Sequence, residues 1–159
     1  MIAETLVILA LIVVNGVLAM SELAIVSARP GRLKTLEAKS RGARMALRLA
    51  EHPGRFLSTV QIGITAVGIL SGALSGATLG QRLGTWLLAQ GLAPDWAASI
   101  GVGGVVVAIT YVSLVVGELV PKQMALRNPE AVAIRMAPAM TLLSVVAAQA
   151  SPLMKKVRA

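Results

Sequence analysis

The most informative stretch of this chain is Ser113-Leu-Val-Val-Gly-Glu-Leu-Val-Pro-Lys-Gln-Met-Ala-Leu-Arg-Asn-Pro-Glu130. An apolar segment precedes it from about Ile100 and is long enough to cross a bilayer, since about 20 residues suffice. Near the end of that segment lie Glu118, Pro121 and Lys122. A charge in lipid costs about 3 kcal/mol unless a partner compensates it, and proline frees a backbone carbonyl one turn earlier. We therefore predict that Glu118 and nearby backbone oxygens help to hold a cation.

Composition favours a membrane protein and limits the metals that it could bind. Of the 159 residues, 56% are hydrophobic and 14% are charged, which is typical of an integral membrane chain. The sequence has no Cys and one His, His52, so a bound metal must take oxygen ligands, as Mg2+ and Na+ do. The net charge is +8 with 3% aromatic residues, which favours anionic lipid over nucleic acid as the partner.

Hydropathy predicts an all-α integral membrane fold with three transmembrane helices, at about 2–26, 56–79 and 100–120. Eight basic and two acidic residues lie between Arg29 and Arg55. By the positive-inside rule this segment is cytoplasmic, and we predict an amphipathic juxtamembrane helix over about 30–52. The N-terminus is then outside the cell inner (plasma) membrane.

The last apolar segment leaves two options. Residues 131–154 are long enough to span, but Arg135, Pro138 and Pro152 interrupt them. A fourth span would place the basic C-terminus outside, against the positive-inside rule. We therefore prefer cytoplasmic juxtamembrane helices over about 129–153. On the opposite side, the weakly charged connection with two tryptophans is predicted to carry a short in-plane helix at about 83–90.

The second span carries a stripe of small residues, Gly68, Gly72, Gly76 and Gly80, at strict four-residue spacing. Such a stripe lets another helix backbone come close, which is ordinary helix packing. The alternative is that close approach exposes backbone carbonyls and the Ser71 hydroxyl to a buried ion. The two interpretations are compatible.

Two acidic residues lie within the predicted spans, Glu22 and Glu118. Each could hold an ion or pair with a nearby base such as Arg29 or Lys122, and for Glu22 both options stay open. Mg2+ commonly takes one or two carboxylates plus waters, whereas a dehydrated ion needs about six oxygens. The hydroxyls that could complete such a set are those of Ser21, Ser71 and Ser113, with Thr65 and Thr110 as further candidates.

Four motifs resemble the membrane domain of the CorC/CNNM family, the hemolysin-like magnesium transporters. They are Asn15-Gly-Val-Leu-Ala-Met-Ser-Glu-Leu-Ala-Ile-Val-Ser-Ala-Arg29, Phe56-Leu-Ser-Thr-Val-Gln-Ile-Gly-Ile-Thr65, Gly117-Glu-Leu-Val-Pro-Lys122 and Asn128-Pro-Glu130. The resemblance covers nearly the whole chain. It implies a homodimer in the lipid bilayer, with three transmembrane helices per subunit, that exports Mg2+, with Na+ entry as the proposed driving force.

The resemblance also implies a binding site for dehydrated Mg2+ between the three helices. Glu118 is then the carboxylate ligand or its close supporter, and Ser21, Ser71 and Gly117 are the expected companions. The residues expected to support this site are Glu22, Pro121, Lys122, Gly68, Gly72 and Ser113. The chain departs from the family at Ala19, where many members have serine, and near Gly68, where some have asparagine. We expect Ser21 and Ser71 to take those roles.

The family usually continues into a pair of cytoplasmic CBS domains, so we expect this chain to be part of a longer protein. A different function, a membrane anchor and dimerisation module for such a cytoplasmic domain, remains the main alternative. Buried acids argue against it, because a passive anchor gains nothing from them. An enzyme is not predicted, since no Ser–His or paired-acid dyad is evident.

Overall fold

The computed structural model describes residues 2–150, with side chains up to residue 146. In this part of the chain every regular element is a helix, which confirms the all-α prediction. Six continuous helices follow one another: α1 (Ile2–Ser27), α2 (Pro30–Glu37), α3 (Arg41–Glu51), α4 (Pro53–Ala89), α5 (Pro94–Arg127) and α6 (Pro129–Ala150).

Four of these helices are long and apolar enough to cross a membrane, namely α1, α4, α5 and the Pro129–Val146 part of α6. The chain is therefore a multi-pass membrane protein, as its composition predicts. The three predicted spans lie inside α1, α4 and α5. Since α6 also meets the length and composition criterion, the structure has four candidate spans where three were predicted. The location of α6 on the cytoplasmic surface stays a prediction.

Helix α4 is longer than its predicted span. It is α-helical over Pro53–Ser75, forms a π-helical turn over Gly76–Gly80 and continues as an α-helix over Gln81–Ala89. The residues of the short in-plane helix predicted at about 83–90 are helical, but they continue α4, and the in-plane orientation stays a prediction. The helix ends at Ala89, and just beyond it Gly91 has a φ of +92°, which only glycine adopts easily, while the Leu92 N–H donates back to the Leu87 carbonyl (3.2 Å).

Helix α5 also continues past its predicted end near residue 120. A π-helical turn occupies Val115–Leu119, and the helix then passes through Pro121 to Arg127. The helix therefore continues past residue 120, where the predicted span ends, and Pro121 does not break it. Proline lacks the N–H that would donate to the carbonyl of Gly117 in a regular α-helix. A π-helical turn can accommodate this missing hydrogen bond without ending the helix, and π-helical turns are frequent at functional sites.

The described residues divide into two compact units. The first contains the residues up to Val17 together with Ile64–Val120. In it, α4 and α5 pack through small residues: a β-carbon built on Gly101 would lie 2.6 Å from the Gly84 α-carbon and 2.7 Å from the Gly80 carbonyl oxygen. Side chains larger than hydrogen would hold the two backbones apart, so glycine permits this close crossing.

The second unit contains Leu18–Gly63 and the described residues from Pro121 onward. Here α3 packs on α6 so closely that a β-carbon built on Gly42 would clash with the Ile134 carbonyl oxygen, and Ala43 is fully buried. The single amphipathic helix predicted at about 30–52 is in fact two helices, α2 and α3. Ser40 separates them because its Oγ accepts a hydrogen bond from the Ala43 N–H (3.3 Å), which caps α3.

Candidate functional site

A cavity of about 210 Å3 lies among the apolar helices of the first unit, with several polar side chains in a largely apolar lining. Segments of α1, α4 and α5 line it. Its polar lining consists of Asn15, Ser71, Thr110, Ser113 and Glu118. Its remaining lining consists of Gly68, Gly72, Ile64, Ile109 and Leu114. A carboxylate, an amide and three hydroxyl-bearing residues therefore line one cavity within segments that are otherwise apolar.

Two of these polar groups are buried without a hydrogen-bond partner among the described residues. They are the Oδ1 atom of Asn15, a residue that is 7% exposed, and the Oγ atom of Ser71, which is 3% exposed. Leaving a buried polar group unsatisfied costs about 1–3 kcal/mol. By contrast, the Ser75 and Thr78 hydroxyls in the same helix donate to the carbonyls of Gly72 (3.0 Å) and Leu74 (2.7 Å). The unsatisfied oxygens of Asn15 and Ser71 are thus available to a cation.

The amide of Asn15 connects α1 to the π-helical turn of α5. Its Nδ2 donates to the Gly117 carbonyl at 3.1 Å, which is the carbonyl left without its usual donor by Pro121. A β-carbon at position 117 would lie 3.2 Å from the Ile12 carbonyl oxygen, so glycine lets α1 approach this turn. Gly117 itself does not line the cavity. It shapes the turn from which the half-buried Glu118 contributes to the lining.

The structure brings together five of the residues predicted for the site, since Gly68, Ser71, Gly72, Ser113 and Glu118 all line this cavity. It also divides the glycine stripe. No atom lies within 4 Å of a β-carbon built on Gly68 or Gly72, whereas those on Gly76 and Gly80 would meet Val102 of α5. One half of the stripe therefore borders the cavity and the other half packs helices.

Four other predicted residues, Ser21, Glu22, Pro121 and Lys122, belong to the second unit. Ser21 is fully buried there. The Glu22 carboxylate lies 3.8 Å from Lys122 Nζ. This ion pair is one of the two alternatives considered for Glu22.

Asn15 is the residue that the sequence reasoning missed. It was recognised only as part of a family motif, although a carboxamide within an apolar span is costly unless it is hydrogen bonded. That cost was the available signal, and it would have placed Asn15 beside Glu118 on the list of candidates. The π-helical turn had no comparable signal.

The lining suits a hard cation better than a transition metal. Within the part of the chain that the structure describes, no three His, Cys, Asp or Glu residues come together. A cation in this cavity would be coordinated by the Glu118 carboxylate and by neutral oxygens such as those of Asn15 and Ser71. Mg2+ and Na+ accept such oxygen sets, whereas soft metals require sulfur or imidazole.

Together, these features define a multi-pass α-helical membrane domain in which several polar side chains line one cavity among apolar helices. The family described as "Cyclin M transmembrane N-terminal domain" matches residues 6–158. The chain belongs to this CNNM family, which confirms the resemblance found in its motifs.

Named relatives support the same membership. The chain is 49% identical over 142 residues to UPF0053 protein sll0260 of Synechocystis sp., covering 89% of the chain and 32% of that protein. It is 31% identical over 130 residues to the polyamine export protein of Haemophilus influenzae (81% and 30% covered) and 30% identical over 136 residues to that of Escherichia coli K12 (85% and 30%). The chain thus spans about a third of the length of these relatives.

Two serines one helical turn apart give a matched test of the cavity. We expect Ser71→Ala to weaken cation binding about tenfold while leaving thermal stability unchanged or slightly raised, because it removes an unsatisfied hydroxyl. Ser75→Ala should do the reverse: it should lose about 1 kcal/mol of stability with its hydrogen bond and leave binding intact. Calorimetric titration and thermal unfolding of both variants measure the two effects. Equal binding losses in both would contradict the assignment of Ser71.

Proposed function

We propose that this chain is the membrane domain of a cation exporter whose substrate is Mg2+. The observation that carries the proposal is the cavity of the first unit, in which Glu118 lies with the unsatisfied oxygens of Asn15 and Ser71. The unsatisfied oxygens of Asn15 and Ser71 are costly in a membrane segment, and they lie in one cavity with the carboxylate of Glu118. A bound cation would offset that cost, which a passive membrane anchor would carry without benefit.

The available oxygens suit Mg2+ that has lost only part of its hydration. Glu118 supplies one carboxylate, and Asn15, Ser71 and Ser113 supply neutral oxygens. Mg2+ takes about six oxygens at roughly 2.0–2.1 Å and commonly keeps several waters. A cavity of about 210 Å3 has room for them, since one water occupies roughly 30 Å3. Ser21, a ligand suggested by the family resemblance, remains a proposal.

The same oxygen ligands could couple Mg2+ export to Na+ entry. Na+ is also a hard cation, so the oxygens that hold Mg2+ could hold it in turn. We propose a homodimer with the N-terminus outside and the basic segment between α1 and α4 in the cytoplasm, as the charge distribution favours. Mg2+ would then enter the cavity from the cytoplasm and leave on the opposite side.

A second substrate class is favoured by one feature of the lining and by two relatives. Ile64, Ile109 and Leu114 give the cavity apolar walls beside Glu118. A linear diamine could place one ammonium group on that carboxylate and its methylene chain against those walls. The relatives from H. influenzae and E. coli are named polyamine export proteins. We therefore keep polyamine export as the alternative to Mg2+ export.

Transport by the full-length protein in liposomes separates these functions. We expect the protein to carry Mg2+ out of the liposomes, which a fluorescent Mg2+ indicator trapped inside them measures. Liposomes without protein should show no efflux, and excess putrescine should not slow it. Transport of radiolabelled putrescine without Mg2+ movement would support the polyamine alternative instead. If neither substrate moves, the chain is a membrane anchor and the proposal is wrong.

A further inference from the structure

A second cavity, of about 510 Å3, lies in the second unit and is chemically unlike the first. It forms where α1 ends and α2 begins, and where α5 ends and α6 begins. Its charged lining consists of Arg29, Arg32, Arg127 and Glu130. Three guanidinium groups and one carboxylate give this cavity a formal net charge of +2.

Glu130 is buried and already engaged at the wall of this cavity. Its Oε1 accepts a hydrogen bond from the Arg29 backbone N–H (3.4 Å), and its Oε2 lies 3.9 Å from Arg32 Nη1. The carboxylate therefore ties the start of α6 to the start of α2 and faces one of the three guanidinium groups. Among residues 2–146, no ion pair joins the side chain of Arg29 or Arg127 to an acid.

The unpaired guanidinium groups favour an anion with several oxygens. Arginine presents N–H donors in a planar fork, which matches the spacing of phosphate oxygens and forms strong charge-assisted hydrogen bonds. Two forks beside one cavity can bind separate oxygens of a single phosphate. Since Arg29 and Arg127 are exposed, this anion need not displace a protein contact.

The location of the cavity indicates where such a phosphate would come from. Arg29 lies just past the end of the candidate span α1 and Arg127 is the last residue of the candidate span α5, so both lie where a span meets the headgroup layer. Exposed Leu126 also lines the cavity and offers apolar surface to the glycerol and upper acyl chains of a lipid. Basic pockets between membrane-spanning helices at the cytoplasmic side bind anionic headgroups.

We propose that this arginine cavity, defined by Arg29, Arg32, Arg127 and Glu130, binds the phosphate of an anionic phospholipid. The site is separate in chemistry and residues from the cavity that contains Glu118. It makes the lipid a structural ligand of the junctions between α1 and α2 and between α5 and α6. Its test requires no transport activity, so it does not depend on which cation the protein exports.

The test is a titration of the full-length protein in neutral detergent with phosphatidylglycerol, phosphatidylcholine or inorganic phosphate, read as retained ligand by native mass spectrometry. We expect the double variant R29Q/R127Q to bind phosphatidylglycerol about thirtyfold more weakly, since each arginine at a membrane surface contributes about fivefold. R41Q/R55Q removes the same charge outside the cavity, and we expect less than a threefold change.

Glu130→Gln gives an opposite expectation and guards against a folding defect in the double variant. Glutamine keeps an acceptor for the Arg29 N–H but raises the formal charge of the cavity to +3, so phosphatidylglycerol should bind severalfold more tightly. Equal losses in both double variants, or no gain in Glu130→Gln, would overturn the site.

Two further results would reassign the arginines. Inorganic phosphate binding as tightly as phosphatidylglycerol would show that a soluble anion is the ligand, against the lipid proposal. The double variant R29Q/R127Q could instead retain lipid unchanged while the remainder of the full-length protein is proteolysed faster. That result would assign the arginines to a contact within the protein and would also overturn the lipid proposal.

Discussion

Replacing Glu118 by glutamine is expected to abolish Mg2+ efflux and to weaken Mg2+ binding by about a hundredfold or more. The substitution keeps the size of the side chain and its place in the lining of the first-unit cavity, but it removes the charge. Replacing a residue that only supports a metal ligand typically lowers metal affinity or activity about 10- to 100-fold. Replacing the carboxylate that balances the charge of the ion should lower Mg2+ affinity at least as much.

Asp95→Asn is the matched control for this experiment. Asp95 is an exposed acid in the first turn of the same helix, α5, and it lies outside the cavity lining. Its replacement by the isosteric amide also removes one negative charge, so any general effect of charge on Mg2+ attraction appears in both variants. Binding by calorimetry and efflux from liposomes provide the comparison. Glu118→Gln protein that binds and moves Mg2+ like the parent would show that the site is wrongly assigned.

The same variant separates transport from anchoring. An anchor predicts that the parent protein moves no ion and that Glu118→Gln changes stability alone. A variant that loses efflux while its stability changes little would show that this acid serves transport. A change in stability alone, in a parent protein that moves no ion, would support the anchor.

The helices could be predicted from the sequence because hydropathy and charge can be read from neighbouring residues along the chain. A long apolar segment must form a helix in lipid to satisfy its own backbone, and the basic residues between Arg29 and Arg55 mark where α1 ends and α4 begins. Glu118 could be singled out for the same reason, since its charge is costly wherever the helix packs. These predictions needed no knowledge of which helices touch.

The features that escaped prediction depend on contacts between distant residues. The hydrogen bond from Asn15 to Gly117 joins positions 102 residues apart, and no local pattern records it. The π-helical turn at Val115–Leu119 and the passage of α5 through Pro121 belong to the same arrangement. The glycine stripe shows the same limit: its spacing predicts a smooth face, but only packing decides that Gly72 borders a cavity and Gly80 a helix.

Gly101→Ala is expected to destabilise the protein by about 2–3 kcal/mol. A methyl group at this position would meet the backbone of Gly84 and the Gly80 carbonyl oxygen, 2.7 Å away, so α4 and α5 would have to separate. Overpacking of this kind typically costs 1–3 kcal/mol. Denaturant unfolding in mixed micelles measures the loss.

Gly103→Ala, two residues along the same helix, is the control. No atom lies within 4 Å of a β-carbon built there, and alanine in a helix is favoured over glycine by about 0.5–1 kcal/mol. The two substitutions add the same methyl group to α5 and should change stability in opposite directions. Similar losses in both would mean that the close approach of α4 and α5 at Gly101 is not what makes a methyl group destabilising there.

The crossing at Gly101 also bears on the cation site, because the same two helices line the cavity further along. Ser71 reaches the cavity from α4 and Glu118 from α5. If a methyl group at position 101 separates the helices, the distance between these two side chains should grow and Mg2+ affinity should fall, although residue 101 does not line the cavity. Gly101→Ala should therefore lose both stability and Mg2+ affinity, whereas Ser71→Ala should lose affinity alone. Intact affinity in destabilised Gly101→Ala protein would show that the site does not depend on this crossing.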